Sequence, residues 1–337
     1  MLKNNNNYYY SNNFFYYPNR IFNNIIKISV LSFLLLFFSF NIHNVLVFGQ
    51  KSDATQLGVD EDYEDINIVA VGDFYCNDET EKTIENIISI YPELVITTGD
   101  HVKDERTAKC WIEMSKEIKD KMKIAIGNHD TDSSKIFKQI TENHNLSSPY
   151  YSHDFKNIHF ISLSTEHPFE EGSKQYDFIK NDLEKVSKNP NTDWIIVHNH
   201  KPFYSTKNDK DDAEELRNTY HPLFEKYDVD LVISSHNQYY ERTYPLLYNH
   251  EDDQEPIVID NSESNYYNTD GIIFLTVGTA GDELQDIIDK EDYYIIQKER
   301  HGFLNLNPEK DGKTIVGEFR TGEDDDDVLD NFELTKP

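Results

Sequence analysis

A sandwich of two mixed sheets with outer helices is the α/β fold this sequence predicts, and three observations lead to it. Strand-length apolar runs alternate with helix-length amphipathic segments through most of residues 67–320, the pattern of repeated strand-helix units and a largely parallel sheet. Segments 150–155 and 158–164 flank Lys156-Asn157 as a hairpin, which adds antiparallel strands. Several apolar runs end in a glycine or serine followed by Asp, Asn or His, so side chains with ligand chemistry recur where strands stop.

In chain order, residues 1–20 are rich in Asn and Tyr and have no usable apolar period. Residues 28–40 are apolar apart from Ser29, Ser32 and Ser39, and Lys3, Arg20 and Lys27 precede them. These are the n-region and h-region of a secretory signal peptide, with Val47-Phe48-Gly49 near a cleavage point. The alternative is an uncleaved anchor over 25–48, close to the ~20 residues that span a bilayer, and Asn41, His43 and Asn44 weigh against it. Residues 1–49 are therefore a leader plus signal peptide or anchor, 50–66 an acidic linker, 67–320 the folded domain and 321–337 an acidic tail. A secreted or vesicular, lysosome-like lumenal protein follows from cleavage, and a single-pass signal-anchored one from retention. In either, Asn145-Leu146-Ser147 is a glycosylation acceptor.

Inside the domain, strands are expected at 67–71, 94–98 and 123–126, separated by helices at 79–90 and 108–119 and followed by one at 133–141. After the hairpin come a helix at 175–186, a buried strand at 194–197, a helix at 212–227 and a buried strand at 230–234. Further strands are expected at 257–259, 272–277, 303–306 and 314–319, with 252–270 as an acidic surface loop.

The chain carries 62 Asp and Glu against 32 Lys and Arg, a formal charge of -30 that repels a nucleic-acid backbone at long range. A small phosphorylated substrate remains compatible, because a bound cation reverses the local field. Cys76 and Cys110 each follow a strand-end carboxylate closely and form either one bridge or two free thiols.

Asp73, Asp100, Asn128, His200 and His236 stand after five different strand ends, and open α/β sheets bind ligands at the carboxyl ends of their strands. Any one of them alone is an ordinary turn residue, or, for His198 and His200, a core imidazole. Together they are a mixed oxygen and nitrogen donor set suited to Zn, Mn or Fe. A phosphate-binding Gly-x-x-x-x-Gly-Lys loop, a His-Glu-x-x-His helix and a Gly-x-Ser-x-Gly elbow are missing from the sequence.

These residues resemble the calcineurin-like metallophosphoesterase superfamily, and more closely its purple acid phosphatase branch. The family order of Asp, Gly-Asp, Gly-Asn-His-Asp/Glu, His and Gly-His-x-His is matched by Asp73, Gly99-Asp100, Gly127-Asn128-His129-Asp130, His200 and His236. His200-Lys201-Pro202-Phe203-Tyr204, Tyr240-Glu241-Arg242-Thr243-Tyr244-Pro245 and Leu275-Thr276-Val277-Gly278-Thr279 support the narrower branch. The resemblance implies a four-layer α/β/β/α metallophosphoesterase fold and a two-metal centre bridged by Asp100. One ion would sit on Asp100, Asn128, His200 and His236, and His129 would stabilise or protonate the leaving oxygen of a small phosphorylated substrate.

The other half departs from the family pattern. Lys103 stands at the tyrosine position, Gln238 at the second histidine of Gly-His-x-His, Tyr75 at the histidine of Asp-x-His, and Ser235 replaces the glycine, which leaves Asp73 and Asp100 as ordinary ligands. Three readings follow: a one-metal site in which the Lys103 ammonium replaces the second ion, a second ion rescued by Tyr75 or His101, or a binding or scaffold protein that keeps the fold without turnover.

Overall fold

Alternation along the first strand sets the layering. In β1 (Ile68–Val71) every side chain is buried, but Ile68 and Ala70 join one apolar cluster while Val69 and Val71 join another, so the strand is packed on both faces. The computed structural model, which describes residues 66–205, 210–268, 270–288, 290–321 and 328–337, extends this pattern through the domain. The leader and its signal or anchor segment lie outside the described residues, as does the linker up to residue 65.

After β1 come α1 (Asp78–Ser89), β2 (Leu94–Thr97), α2 (Glu105–Met114), β3 (Met122–Ile124), α3 (Ser134–Asn143), and the hairpin β4 (Tyr151–Phe155) and β5 (Ile158–Ser162). The middle of the chain forms α4 (Lys174–Val186), β6 (Trp194–His198), α5 (Lys210–Lys226), β7 (Leu231–Ser234) and β8 (Tyr240–Thr243). The short strands β9 (Leu246–Leu247), β10 (Ile257–Val258) and β11 (Asn265–Tyr267) follow, then β12 (Ile273–Val277), β13 (Tyr294–Lys298), β14 (Phe303–Pro308), β15 (Thr314–Arg320) and β16 (Val328–Thr335).

The first sheet runs β11-β16-β15-β14-β1-β2-β3, the second β13-β8-β12-β7-β6-β5-β4, and β9 pairs with β10 apart from both. Each sheet is mixed: β1, β2 and β3 are parallel to one another but β14 is antiparallel to β1, while β5, β6, β7 and β12 are parallel and β4 and β8 are not. Between the sheets, Ala70, Ile96 and Leu304 meet Phe160, Ile196 and Leu275. On the outer faces α1, α2 and α3 cover Val69 and Val95 with Ile87, Trp111 and Ile140, and α4 and α5 cover Val197 and Val232 with Ile179, Leu183 and Phe224. This is the four-layer arrangement expected from sequence.

Several local expectations are corrected. The second helix spans Glu105 to Met114 rather than 108–119, and it starts early because Asp104 and Thr107 form a capping box, a feature worth about 1 kcal/mol. The acidic stretch from 321 is not a tail throughout: Val328–Thr335 is β16, paired along its length with β15, and it buries Asp330 and Phe332. Part of the expected 252–270 loop is β11, which pairs with β16. Cys76 and Cys110, whose alternatives the sequence left open, are joined in a disulfide with Cα atoms 5.9 Å apart, tying the loop after β1 to α2. Asn145 follows α3 with φ 53 and is exposed.

Candidate metal centre

The parallel strands β1 and β2 of one sheet, and β6, β7 and β12 of the other, deliver their carboxyl ends to one edge, where hydrogen bonds to backbone carbonyls stitch the two sheets together. Gly72 N–H donates to the Val277 carbonyl (3.0 Å), and His198 Nδ1 donates to the Thr97 carbonyl (3.1 Å). Three of the residues placed there, Asp73, Asp100 and His236, have φ of 59, 50 and 68, a left-handed conformation that is unfavourable for residues with a Cβ and concentrates at functional sites. The glycines are required by crowding as well. A Cβ on Gly99, itself at φ 97, would lie 2.8 Å from the Gly127 nitrogen and 2.8 Å from His200 Nδ1, and one on Gly127 would collide with the Asp100 carboxylate.

The structure brings Asp100, Asn128, His200 and His236 together. His200 Nε2 lies 3.0 Å from Asn128 Oδ1, 3.3 Å from Asp100 Oδ2 and 3.2 Å from His236 Nδ1, while His200 Nδ1 donates to the Thr98 carbonyl (2.9 Å). One ligand atom each from Asp100, His200 and His236 falls within 4.8 Å of the others. His129 is beside them: its backbone N–H donates to Asp100 Oδ1 (2.9 Å), its Nδ1 bonds Asp132 Oδ2 (2.9 Å), and its Nε2 is 4.0 Å from Asp100 Oδ2. Both histidines around the β6 end are buried, but only His200 has its Nε2 turned to the cluster, while His198 bonds the Thr97 carbonyl.

This donor set fits a cation. With its Nδ1 proton committed to Thr98, a neutral His200 turns a bare Nε2 lone pair toward an amide oxygen and a carboxylate, a repulsive arrangement unless positive charge sits among them. The electrostatics express the same demand. Burial disfavours a charged His200, but Asp100 outweighs it and pushes the imidazole up to about 10. Burial also opposes ionisation of Asp100, and His200 in turn holds that carboxyl down at about 2. A field that favours a proton here favours a metal ion too.

The calcineurin-like phosphoesterase family pattern matches residues 66–240, which spans β1 through the start of β8 and therefore every residue of this cluster. The chain belongs to the calcineurin-like phosphoesterase family. Its relatives place the chain on the purple acid phosphatase-like branch. It is 38% identical over 96 residues, 28% of this chain and 15% of the relative, to probable inactive purple acid phosphatase 9 of Arabidopsis thaliana. It is 26% identical over 213 residues, 58% of this chain and 48% of the relative, to purple acid phosphatase 21 of the same plant. The chain thus spans half or less of the length of these curated relatives. A purple acid phosphatase from yellow lupin seeds shares the fold, with a TM-score of 0.67 at 20% identity over 81% of this chain and 54% of the lupin protein.

Where the resemblance implies ligands of a second ion, hydrogen-bond and ion-pair partners from the chain stand around Asp73 and Lys103. Asp73 is buried, which pushes its carboxyl up to about 6 although His200 works against the rise. Its Oδ1 accepts from Gln238 Nε2 (3.0 Å) and its Oδ2 from the His236 backbone N–H (2.7 Å). The Lys103 ammonium pairs with Asp282 (2.6 Å) and lies 5.3 Å from the centroid of the Tyr75 ring. His101 is not turned to the centre: Thr97 Oγ1 and Asp130 Oδ2 engage its two ring nitrogens at 2.6 and 2.8 Å. Sequence reasoning missed Asp282 and Asp132. A signal existed for each, since Gly281-Asp282 repeats the Gly-Asp pattern after β12, and Asp132 stands three residues beyond His129, one turn of the 3-10 helix His129–Thr131.

Among the described residues no helix is long and apolar enough to cross a membrane.

Proposed function

We propose that this chain is a metal-dependent phosphate-ester hydrolase of the secretory pathway, working with one tightly held ion and a cationic substitute on the other side. The observation that carries the proposal is the convergence of Asp100, Asn128, His200 and His236 beside His129, at a cavity of about 350 Å³ lined also by Lys103, Gln238 and Asp282. Those four residues would hold a single Fe, Zn or Mn ion. Such an ion, when bound, supplies charge neutralisation at the phosphoryl oxygen and lowers the pKa of a water nucleophile.

The remaining work falls to the chain itself. Asp132 takes the Nδ1 side of His129, so the proton available to a leaving oxygen is the one at Nε2, which faces Asp100. Lys103, fixed by Asp282 on the cavity wall, offers ammonium donors to a phosphate oxygen. Gln238 and the His236 N–H occupy both oxygens of Asp73, lone pairs that a second ion would need, and this favours one ion over two. The Cys76–Cys110 bridge suits an oxidising compartment and the exposed Asn145 suits glycosylation, in keeping with a cleaved signal peptide.

The same rebuilt half favours a second reading, a lumenal binding or scaffold protein without turnover, and one relative carries the name of a probable inactive phosphatase. Phosphate release from an aryl phosphate and from a phosphodiester by the metal-loaded full chain separates the two. Release that disappears in His129→Ala supports hydrolysis, whereas full metal loading with no release above the His129→Ala background establishes the scaffold reading instead.

A further inference from the structure

A second cavity, of about 430 Å³, opens at the outer strand β13 of the second sheet. Its lining inverts the charge balance of the chain. Lys290, Lys298 and Arg300 surround it, with Glu299 as the lone carboxylate, in a protein with 62 acidic against 32 basic side chains. Glu299 accepts the Ile287 backbone N–H at 2.7 Å, and among the described residues no ion pair joins any of the three cations to a carboxylate. The contrast is a cavity of about 440 Å³ elsewhere, where Lys313 and Lys336 are each neutralised, by Asp193 and Asp230. Arg300 Nη1 donates to the Glu299 backbone carbonyl (3.0 Å), and three cations with no carboxylate partner among the described residues raise the local potential around one concavity. Gln297 adds an amide to the same wall.

The cavity is joined to the metal centre through the chain. Residues 282–285 line the centre's cavity and Ile287 and Lys290 line this one, while Gln285 N–H donates to the Gln238 carbonyl at 3.0 Å. We propose that the Lys290–Lys298–Arg300 cavity is an anion-binding site for small ligands that carry sulfate or phosphate ester groups. Arg300 provides the planar fork that grips an oxyanion in two bonds, and the lysines provide compact charge around it.

The test uses inositol hexasulfate, whose sulfate esters offer no phosphoryl group for hydrolysis, titrated calorimetrically into the full chain at about 50 mM ionic strength. The expected result is saturable binding of one probe per chain, weakened about tenfold or more when Lys290→Ala, Lys298→Ala and Arg300→Ala are combined. Lys121→Ala, Lys174→Ala and Lys185→Ala combined remove the same charge from exposed positions elsewhere and leave the affinity within about twofold. Absence of saturable binding, or equal loss in both triple variants, overturns the proposal. So does binding that emerges only after Glu323–Asp327 are replaced by serines, which would make that acidic run, outside the described residues, the occupant. Inositol hexakisphosphate, compared with the sulfate probe, then tells a phosphate preference from a sulfate one.

Discussion

Removing Asp132 and removing His129 should damage the protein to very different degrees. Burial opposes charge on His129, but the bond from Asp132, with Asp100 behind it, holds its pKa above the ordinary 6.5. The two side chains are 38% and 53% exposed, so solvent screening limits the pair to about 0.3–1 kcal/mol. Asp132→Asn removes that bond and lowers the His129 pKa. The acid form is then lost at lower pH, the alkaline limb of kcat moves down, and kcat near neutrality falls about two- to fivefold. His129→Ala removes the acid itself and should lower kcat about a hundred- to ten-thousandfold. Steady-state hydrolysis of a nitrophenyl ester and of an alkyl phosphate across pH is the assay, because the alkyl leaving group depends more on proton donation. A His129→Ala loss that is the same for both esters, or an Asp132→Asn loss as large as that of His129→Ala, would refute the assignment.

Lys103→Tyr combined with Gln238→His should raise the metal content from one ion per chain to two, while each single substitution leaves it at one; a double variant still holding one ion would show that the rebuilt half is not what excludes the second. Gly127→Ala drives a Cβ into the Asp100 carboxylate and should destabilise the fold by about 1–3 kcal/mol and weaken metal retention together, read by thermal melting and dialysis. His159 sits between Asp154 Oδ1 (2.6 Å) and Asp182 Oδ2 (3.0 Å), and although burial opposes its charge, these partners raise its pKa above 6.5. The stability it contributes is therefore complete below about pH 6.5 and is lost as pH rises through the folded value, so His159→Gln should cost about 1–2 kcal/mol near pH 5 and much less near pH 9 in denaturant titrations.

How much of this was readable from the chain follows from what is local. Val71-Gly72-Asp73 and Thr98-Gly99-Asp100 announce themselves because an apolar run and the turn that ends it are neighbours in sequence, and the same holds for the β6 and β7 ends that carry His200 and His236. The partners of the altered positions come from far away. Lys103 finds Asp282 and Gln238 finds Asp73, pairings that no spacing rule reaches. The missed strands fail for the same reason. Tyr240–Thr243 looks too polar for an interior strand until Arg242 meets Asp330 of β16 in a buried pair at 2.6 Å, 88 residues away. In β16 the acidic residues before it mask a period-two pattern, with Asp330, Phe332 and Leu334 facing inward.

Metal content per chain bears on the central claim most directly. The full chain, purified and dialysed against metal-free buffer, should retain one Fe, Zn or Mn ion by elemental analysis, and that ion should be lost in Asn128→Ala and in His236→Ala but kept in Gln238→Ala. Two retained ions, none, or an ion indifferent to Asn128 and His236 would contradict the account.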